Sequence, residues 1–181
     1  MSRLDVDEIK NKTSGQNLVI KNGTNTALNI DSTGRILTPA RPAFSCRPTA
    51  DISYTASGWK TVDFNTVDFD IGNNLHSNGY FVCPVSGLYQ FNYHVRLDLV
   101  GTSYIIIALS STLSGNAPDG SESLYLNTYV INGSPSGSYH TLTSTALVQL
   151  TAGTNVMPWH YSADTSYTIK LASHYSGYLV G

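Results

Sequence analysis

Asp63, Asp68 and Asp70 crowd into Thr61 to Asp70 (TVDFNTVDFD), the densest group of acids in the chain. Two carboxylates about 5 to 9.5 Å apart across a cleft are what glycoside hydrolysis requires, and Asp68 and Asp70, two positions apart on a strand, fall on one face. The same acids would also suit calcium. Nothing else marks a site: there is no GxSxG elbow, phosphate-binding loop or Cys/His arrangement. Alternation with Val62, Phe64, Val67 and Phe69 reads instead as a strand whose acidic face is solvated. The chain is therefore expected not to be an enzyme.

The five histidines, His76, His94, His140, His160 and His174, form no HxH or HxxxH pair, so no metal and no cofactor is expected. His94 and Arg96 share a strand face and suit either an anionic group or the polar lining of a subunit contact. Tyrosine stands out at twelve copies; its large amphipathic ring serves packing and carbohydrate stacking alike. Trp159 and Tyr161 share a strand face beside the polar turn Ser162 to Ser166. Exposed, they would form a sugar platform; buried, they would belong to the core. Binding is best sought in loops held by a rigid scaffold, here Leu113 to Ser121, Asn132 to Ser138 and Ser162 to Ser166. The expected receptor contacts are Asn132, Ser134, Ser136, Ser138, Trp159, Tyr161, Ser162, Asp164 and Ser166.

The elements that must position these residues read as strands. Of 181 residues, 41% are apolar and only 12% charged, with a net charge of −2. That gives no field to attract nucleic acid or an anionic membrane. No run approaches the roughly 20 apolar residues of a membrane span, and Met1 to Lys12 lacks a signal-peptide apolar region, so a soluble, unsecreted protein is expected. Phe91, Tyr93, Val95 and Leu97 alternate with Asn92, His94, Arg96 and Asp98, the period of a strand with one buried face. Leu142, Ala146, Val148 and Leu150 repeat the pattern, as do Ile169, Leu171, Tyr175 and Leu179, where Ser173 and Gly177 suggest a close neighbour. Tyr104 to Leu109 (YIIIAL) is apolar on both faces and should be covered twice. The fold class is all-β.

Residues 1–40 differ, with nine charges and isolated apolar pairs. Leu18 to Leu28 and Ile20 to Ile30 repeat at ten residues, with Asn22-Gly23 and Thr33-Gly34 as turns. One such segment buries too little to offset its ordering entropy, whereas three copies wound together would fold; a flexible linker is the other reading. Pro39 and Pro42 end it, and a globular domain spans 41–181.

Within that domain, Arg41-Pro42-Ala43-Phe44-Ser45, then Gly79-Tyr80-Phe81-Val82-Cys83-Pro84-Val85-Ser86-Gly87-Leu88-Tyr89-Gln90-Phe91-Asn92-Tyr93-His94-Val95, and finally Tyr175-Ser176-Gly177-Tyr178-Leu179 resemble, in order, the motifs of the complement one-q globular head. The resemblance implies a ten-stranded jelly-roll sandwich of the tumour necrosis factor type, a homotrimer with both termini at one end. Trimer contacts are then expected at Tyr93, His94, Arg96, Tyr104, Ile106, Tyr175 and Tyr178. It also implies that the first strand and the strand carrying Cys83 both flank the C-terminal strand. Cys46 and Cys83 would then stand about two strand spacings apart, beyond disulfide reach, and both should be free, buried thiols. Residues 1–40 show no Gly-X-Y period of the collagen-like stalk usual before such heads. Residues 17–37 instead resemble stems of phage fibre proteins. The function expected is the trimeric receptor-binding tip of a tailed-phage tail fibre, located in the virion and adhering to a host surface glycan. The alternative is a secreted complement-type head binding proteins or glycans, and a third reading is a tail-associated polysaccharide depolymerase.

Overall fold

The computed structural model describes residues 16–99, 104–111, 118, 124–131 and 138–181. The chain divides into two compact units, Met1–Arg41 and Pro42–Gly181.

The described part of the first unit is an antiparallel meander of β1 (Leu18–Asn22), β2 (Asn25–Ile30) and β3 (Ile36–Leu37). Gly23 takes a positive φ of 62° in the first turn, a conformation open to glycine at no steric cost. The second turn is built on Asp31, whose Oδ1 accepts the Thr33 hydroxyl at 2.7 Å and the backbone N–H groups of Thr33 and Arg35. These donors, Thr33 first, lower its carboxyl to about 2. The register pairs Leu18 with Ile30 and Ile20 with Leu28. The ten-residue repetition in the sequence is thus the two arms of one hairpin, not successive turns of a repeat. Among its described residues Val19, Ile20, Ile36 and Leu37 stay exposed, Ile36 at 67%, while Leu18, Leu28 and Ile30 are half-buried.

The second unit is a two-sheet sandwich built from β4 (Ala43–Arg47), β5 (Ile52–Tyr54), β6 (Gly58–Thr61), β7 (Thr66–Ile71), β8 (Phe81–Val82), β9 (Gly87–Leu99), β10 (Tyr104–Ser110), β11 (Leu124–Ile131), β12 (Ser138–Leu150), β13 (Asn155–Ser162), β14 (Tyr167–Ile169) and β15 (His174–Leu179). These are twelve strands among the described residues, where ten were expected. The extra ones are short: Thr55 to Ser57 and Gly58, at φ 107°, part β5 from β6, and β8 has only two residues. One sheet runs β11-β10-β13-β6 with β8 on β13; the other runs β5-β14-β9-β15-β4-β7 with β12 on β9.

The 13-residue β9 is the spine of the larger sheet. It pairs along its whole length with β12, and on its other side with β15 and then β14. Tyr89, Phe91, Tyr93, Val95 and Leu97 all point inward and are fully buried, as their alternation predicts. Across the core they meet Ile105, Ile107, Leu109 and Val156 of the smaller sheet. Between β14 and β15 the buried Ser173 accepts the Arg96 backbone N–H at 3.0 Å. Ser173 therefore interrupts the apolar pattern to satisfy a backbone group that no strand pairs, and Leu171 beside it is exposed.

Gly177 does mark a close approach. A Cβ there would stand 2.6 Å from Phe91 Cδ1 and 2.9 Å from Phe44 Cε1, and both rings are locked in an aromatic cluster with Phe81 and Tyr175. Gly177→Ala is expected to destabilise the head by about 1 to 3 kcal/mol through overpacking, seen as a lower urea midpoint at unchanged slope.

Candidate interaction surface

Two outward faces carry the residues whose chemistry suits binding. On the larger sheet, inward burial of Phe91, Tyr93 and Val95 forces Asn92, His94 and Arg96 outward by strand parity. Cross-strand neighbours complete a polar field. Asn92 Oδ1 accepts the Thr145 hydroxyl at 3.0 Å, His94 Nδ1 meets Thr143 Oγ1 at 2.9 Å, and the Tyr178 hydroxyl donates to Gln90 at 2.9 Å. Arg96 lies over the Tyr139 ring at 4.4 Å. Burial, followed by the charges of His174 and Arg96, lowers the His94 pKa below its usual value. Around this polar centre the margins are apolar: Phe69 and Ile71 on β7, and Leu147, at 60%, with Tyr139 on β12, are exposed.

The other face belongs to the smaller sheet. The register places Ile106, Tyr161 and Trp59 side by side, and then Ala108, Trp159 and Thr61. Tyr161 stacks on Tyr104 at 5.3 Å and meets Trp59 edge-on at 5.6 Å; its hydrogen bond to Tyr104 raises its hydroxyl's pKa. Trp59, Tyr104 and Tyr161 are all half-buried, so this strip keeps ring surface open to solvent. Trp159, only 5% exposed, is core instead: it packs with Ala108, Met157, Trp59 and Tyr80. Of the outer face of β10 only Ala108 joins that layer, while Tyr104 and Ile106 stay half-buried, so YIIIAL is covered on both sides only in part.

The strip lies at one identifiable end of the head. Leu99, Ser138 and Tyr167 pair together at that end, whereas Ala43 pairs with Tyr178, and the Leu88 N–H donates to Gly181 at the opposite end. The turn from Ser162 into Tyr167 is therefore remote from both ends of the head's chain. In it Ser162 is buried, its Oγ accepting the Asp164 N–H at 3.1 Å, while Asp164 is half-buried and Ser166 exposed. Leu113 to Ser121, apart from the buried Pro118, falls outside the described residues, as do Asn132, Ser134 and Ser136. Ser138 opens β12.

The motifs and sandwich now stand beside known proteins. The profile of the C1q domain matches residues 43–180. The chain belongs to the C1q domain family. No curated protein sequence matches it. Among solved structures it is similar to the globular domain of zebrafish complement 1qA protein, at 20% identity with a TM-score of 0.54 over 78% of this chain and 98% of that one. Eiger TNF from S. frugiperda aligns at 10% identity, with a TM-score of 0.55 and 78% and 92% coverage. Murine APRIL aligns at 12%, with 0.54 and 77% and 99%. At these identities the likeness shows the jelly-roll fold. Domains of the C1q family are non-catalytic binding modules, and this head is one.

Several expected roles do not fit the C1q head as folded. Tyr93 and Tyr175 are fully buried and meet edge-on at 6.2 Å inside the core, so neither can contact another subunit. His94, Arg96 and Tyr178 share the outer face of the larger sheet, but Tyr104 and Ile106 lie on the opposite layer. Val67 and Phe69 are each 50% exposed, the reverse of the core face read from the sequence; Val62 and Phe64 precede β7 and are buried. Ser45 faces Phe69 and Cys46 faces Val67, so Asp68 is the extra residue of a bulge. Asp68 accepts Ser45 Oγ–H and Arg47 Nε–H, and Asp70 accepts the backbone N–H groups of Asn74 and Leu75. These carboxylates are committed to separate structural tasks and form no acid/base pair.

Cys46 and Cys83 are free and buried, although the expected reason fails. Cys83 follows β8, a strand of the smaller sheet, and does not flank β15. Burial, with Asp68 and Asp70 nearby, pushes the Cys46 thiol up and keeps it unreactive.

Sequence reasoning also missed His160. It is fully buried, holds the Tyr167 hydroxyl at 2.9 Å and lies edge-on to Tyr54. Burial, then the Lys60 charge, lowers its pKa from 6.5 to about 3. The unfolded chain therefore binds a proton below pH 6.5 that the native head refuses. Its contribution is fully present above that pH and is lost as pH falls toward 3, at up to about 1.4 kcal/mol per pH unit. Urea denaturation between pH 7 and 4 should show a shallower loss for His160→Phe than for the unsubstituted chain.

Proposed function

We propose that this C1q-family head works as a homotrimer that adheres to a glycan or protein ligand through the end remote from its termini. Supporting the contact between copies are the apolar margins Phe69, Ile71 and Leu147 around the polar field of His94, Arg96 and Tyr178, a surface a lone soluble head has no reason to expose. Supporting the ligand surface is the strip Trp59, Tyr161 and Tyr104, open ring area beside the Asp164 to Ser166 turn. Asn132, Ser134 and Ser136, with Ser138 at the start of β12, complete the proposed contact. Three identical weak sites presented together raise avidity by about 10² to 10⁴.

The reading that the family supports best is a complement-type head acting outside the cell. One observation favours the second reading, a tail-fibre tip on a β-structured stem: the Leu18–Leu37 meander leaves Val19, Ile20, Ile36 and Leu37 uncovered, and it shows no Gly-X-Y period. Under this proposal three such segments cover one another. Binding of the purified chain to bacterial cells, compared with an array of soluble glycans and proteins, separates the two.

Sedimentation at micromolar concentration should give the mass of three chains, and Leu147→Asp or Phe69→Asp should dissociate them while far-UV spectra stay native. A monomer in the unsubstituted protein overturns the assembly. Trp59→Ala with Tyr161→Ala should weaken ligand binding about tenfold or more without changing oligomeric mass.

A further inference from the structure

On the outer face of the larger sheet, Asn92, His94, Ala172, His174 and Ser176 line an open depression of about 360 Å³. His174 and His94 are directly opposite each other across β15 and β9, which sets their Cβ atoms about 4.5 to 5.5 Å apart. Their separation of 80 positions in the chain hides this pair from any motif search. Among the described residues each ring meets a hydroxyl at one nitrogen. Ser45 Oγ donates its single hydrogen to Asp68 Oδ2 at 3.2 Å and stands 3.1 Å from His174 Nε2. With that hydrogen committed, Ser45 accepts the Nε2–H of His174, which leaves the Nδ1 lone pair bare. His94 Nδ1 meets Thr143 Oγ1 at 2.9 Å, which leaves Nε2 as its outward nitrogen.

We propose that His94 and His174 form a two-imidazole site for a borderline transition-metal ion, Zn²⁺ or Ni²⁺, with Asn92, Ser176 and water able to fill the remaining positions. Neutral imidazole is the ligand these ions prefer. The Asp68–Ser45–His174 chain reproduces the support that metal-binding histidines require: a hydrogen-bonded partner behind the ring that fixes its tautomer and raises its basicity. Asp68 is the bulged residue of β7, and its carboxylate reaches Ser45 Oγ at 3.2 Å. Arg96, the nearest fixed cation on β9, is drawn over the Tyr139 ring and does not line the depression. Among the described residues no group of three or more His, Cys, Asp or Glu is gathered anywhere, so the site is an open one resting on two protein nitrogens. The depression lies within the face proposed as the contact between copies, but both ligating side chains come from one chain.

Titration of the chelator-treated full-length protein with Zn²⁺ and with Ni²⁺, followed by calorimetry, should give one ion per chain. His94→Ala and His174→Ala should each lower affinity more than tenfold. Ser45→Ala, which leaves both ligands in place, should lower it about 10- to 100-fold. His76→Ala, away from this face, should leave it unchanged. Ni²⁺ should also broaden the imidazole resonances of His94 and His174 first in the unsubstituted protein, a readout independent of whether any variant folds. No saturable binding, broadening spread equally over His76 and His140, or an affinity indifferent to both substitutions overturns the site. Sedimentation of the same samples reports assembly separately, so a monomer that binds the ion contradicts the trimer and leaves this inference standing.

Discussion

The pairing of β9 with β12 on one side and with β15 and β14 on the other fixes almost everything else in the head. In a strand, parity is all or nothing: a one-residue slip carries every side chain to the other face. Tyr89, Phe91, Tyr93, Val95 and Leu97 together bury too much apolar area for any register but the one that turns them inward. That same register is what delivers Asn92, His94 and Arg96 to the surface as a row, and it brings His174 opposite His94. The interaction surface is in this sense a by-product of core packing, and its rigidity is inherited from that packing.

The inner faces of β9, β12 and β15 were legible in the sequence because a half-buried strand writes its burial as alternation. β7 was not. Its alternation of Val67, Phe69 and Ile71 with two acids has the same period, but the apolar set is the exposed one, because β7 is an edge strand bulged at Asp68. Period alone reports that a strand has two unlike faces, not which of them the chain itself covers. Trp159 shows the same limit, since its place on a face beside a polar turn suits a platform and a satellite core equally. Met157 on the same strand, with Tyr80 and Trp59 from elsewhere in the chain, decides the matter. The His94/His174 pair and the buried His160 needed three-dimensional neighbours throughout, so nothing in their local sequence could have exposed them.

The two units stabilise themselves differently. The head closes a core of stacked and edge-on aromatic rings around Phe44, Phe81, Phe91 and Tyr175 and needs no cross-link, its two thiols lying apart and buried. The Leu18–Leu37 meander carries hydrogen-bonded turns, such as the one gathered on Asp31, and its described apolar side chains are at most half-buried.

The bulge on β7 has one more effect, on how copies of the head can meet. An exposed edge strand carrying Val67, Phe69 and Ile71 would ordinarily invite another strand to hydrogen-bond alongside it, and sheets joined in that way extend without limit. The unpaired Asp68, with Arg47 beside it, breaks the even row of backbone donors and acceptors along that edge. Apolar attraction is kept while ladder growth is denied, a combination that steers this surface toward face-on contacts of finite number and away from fibrils.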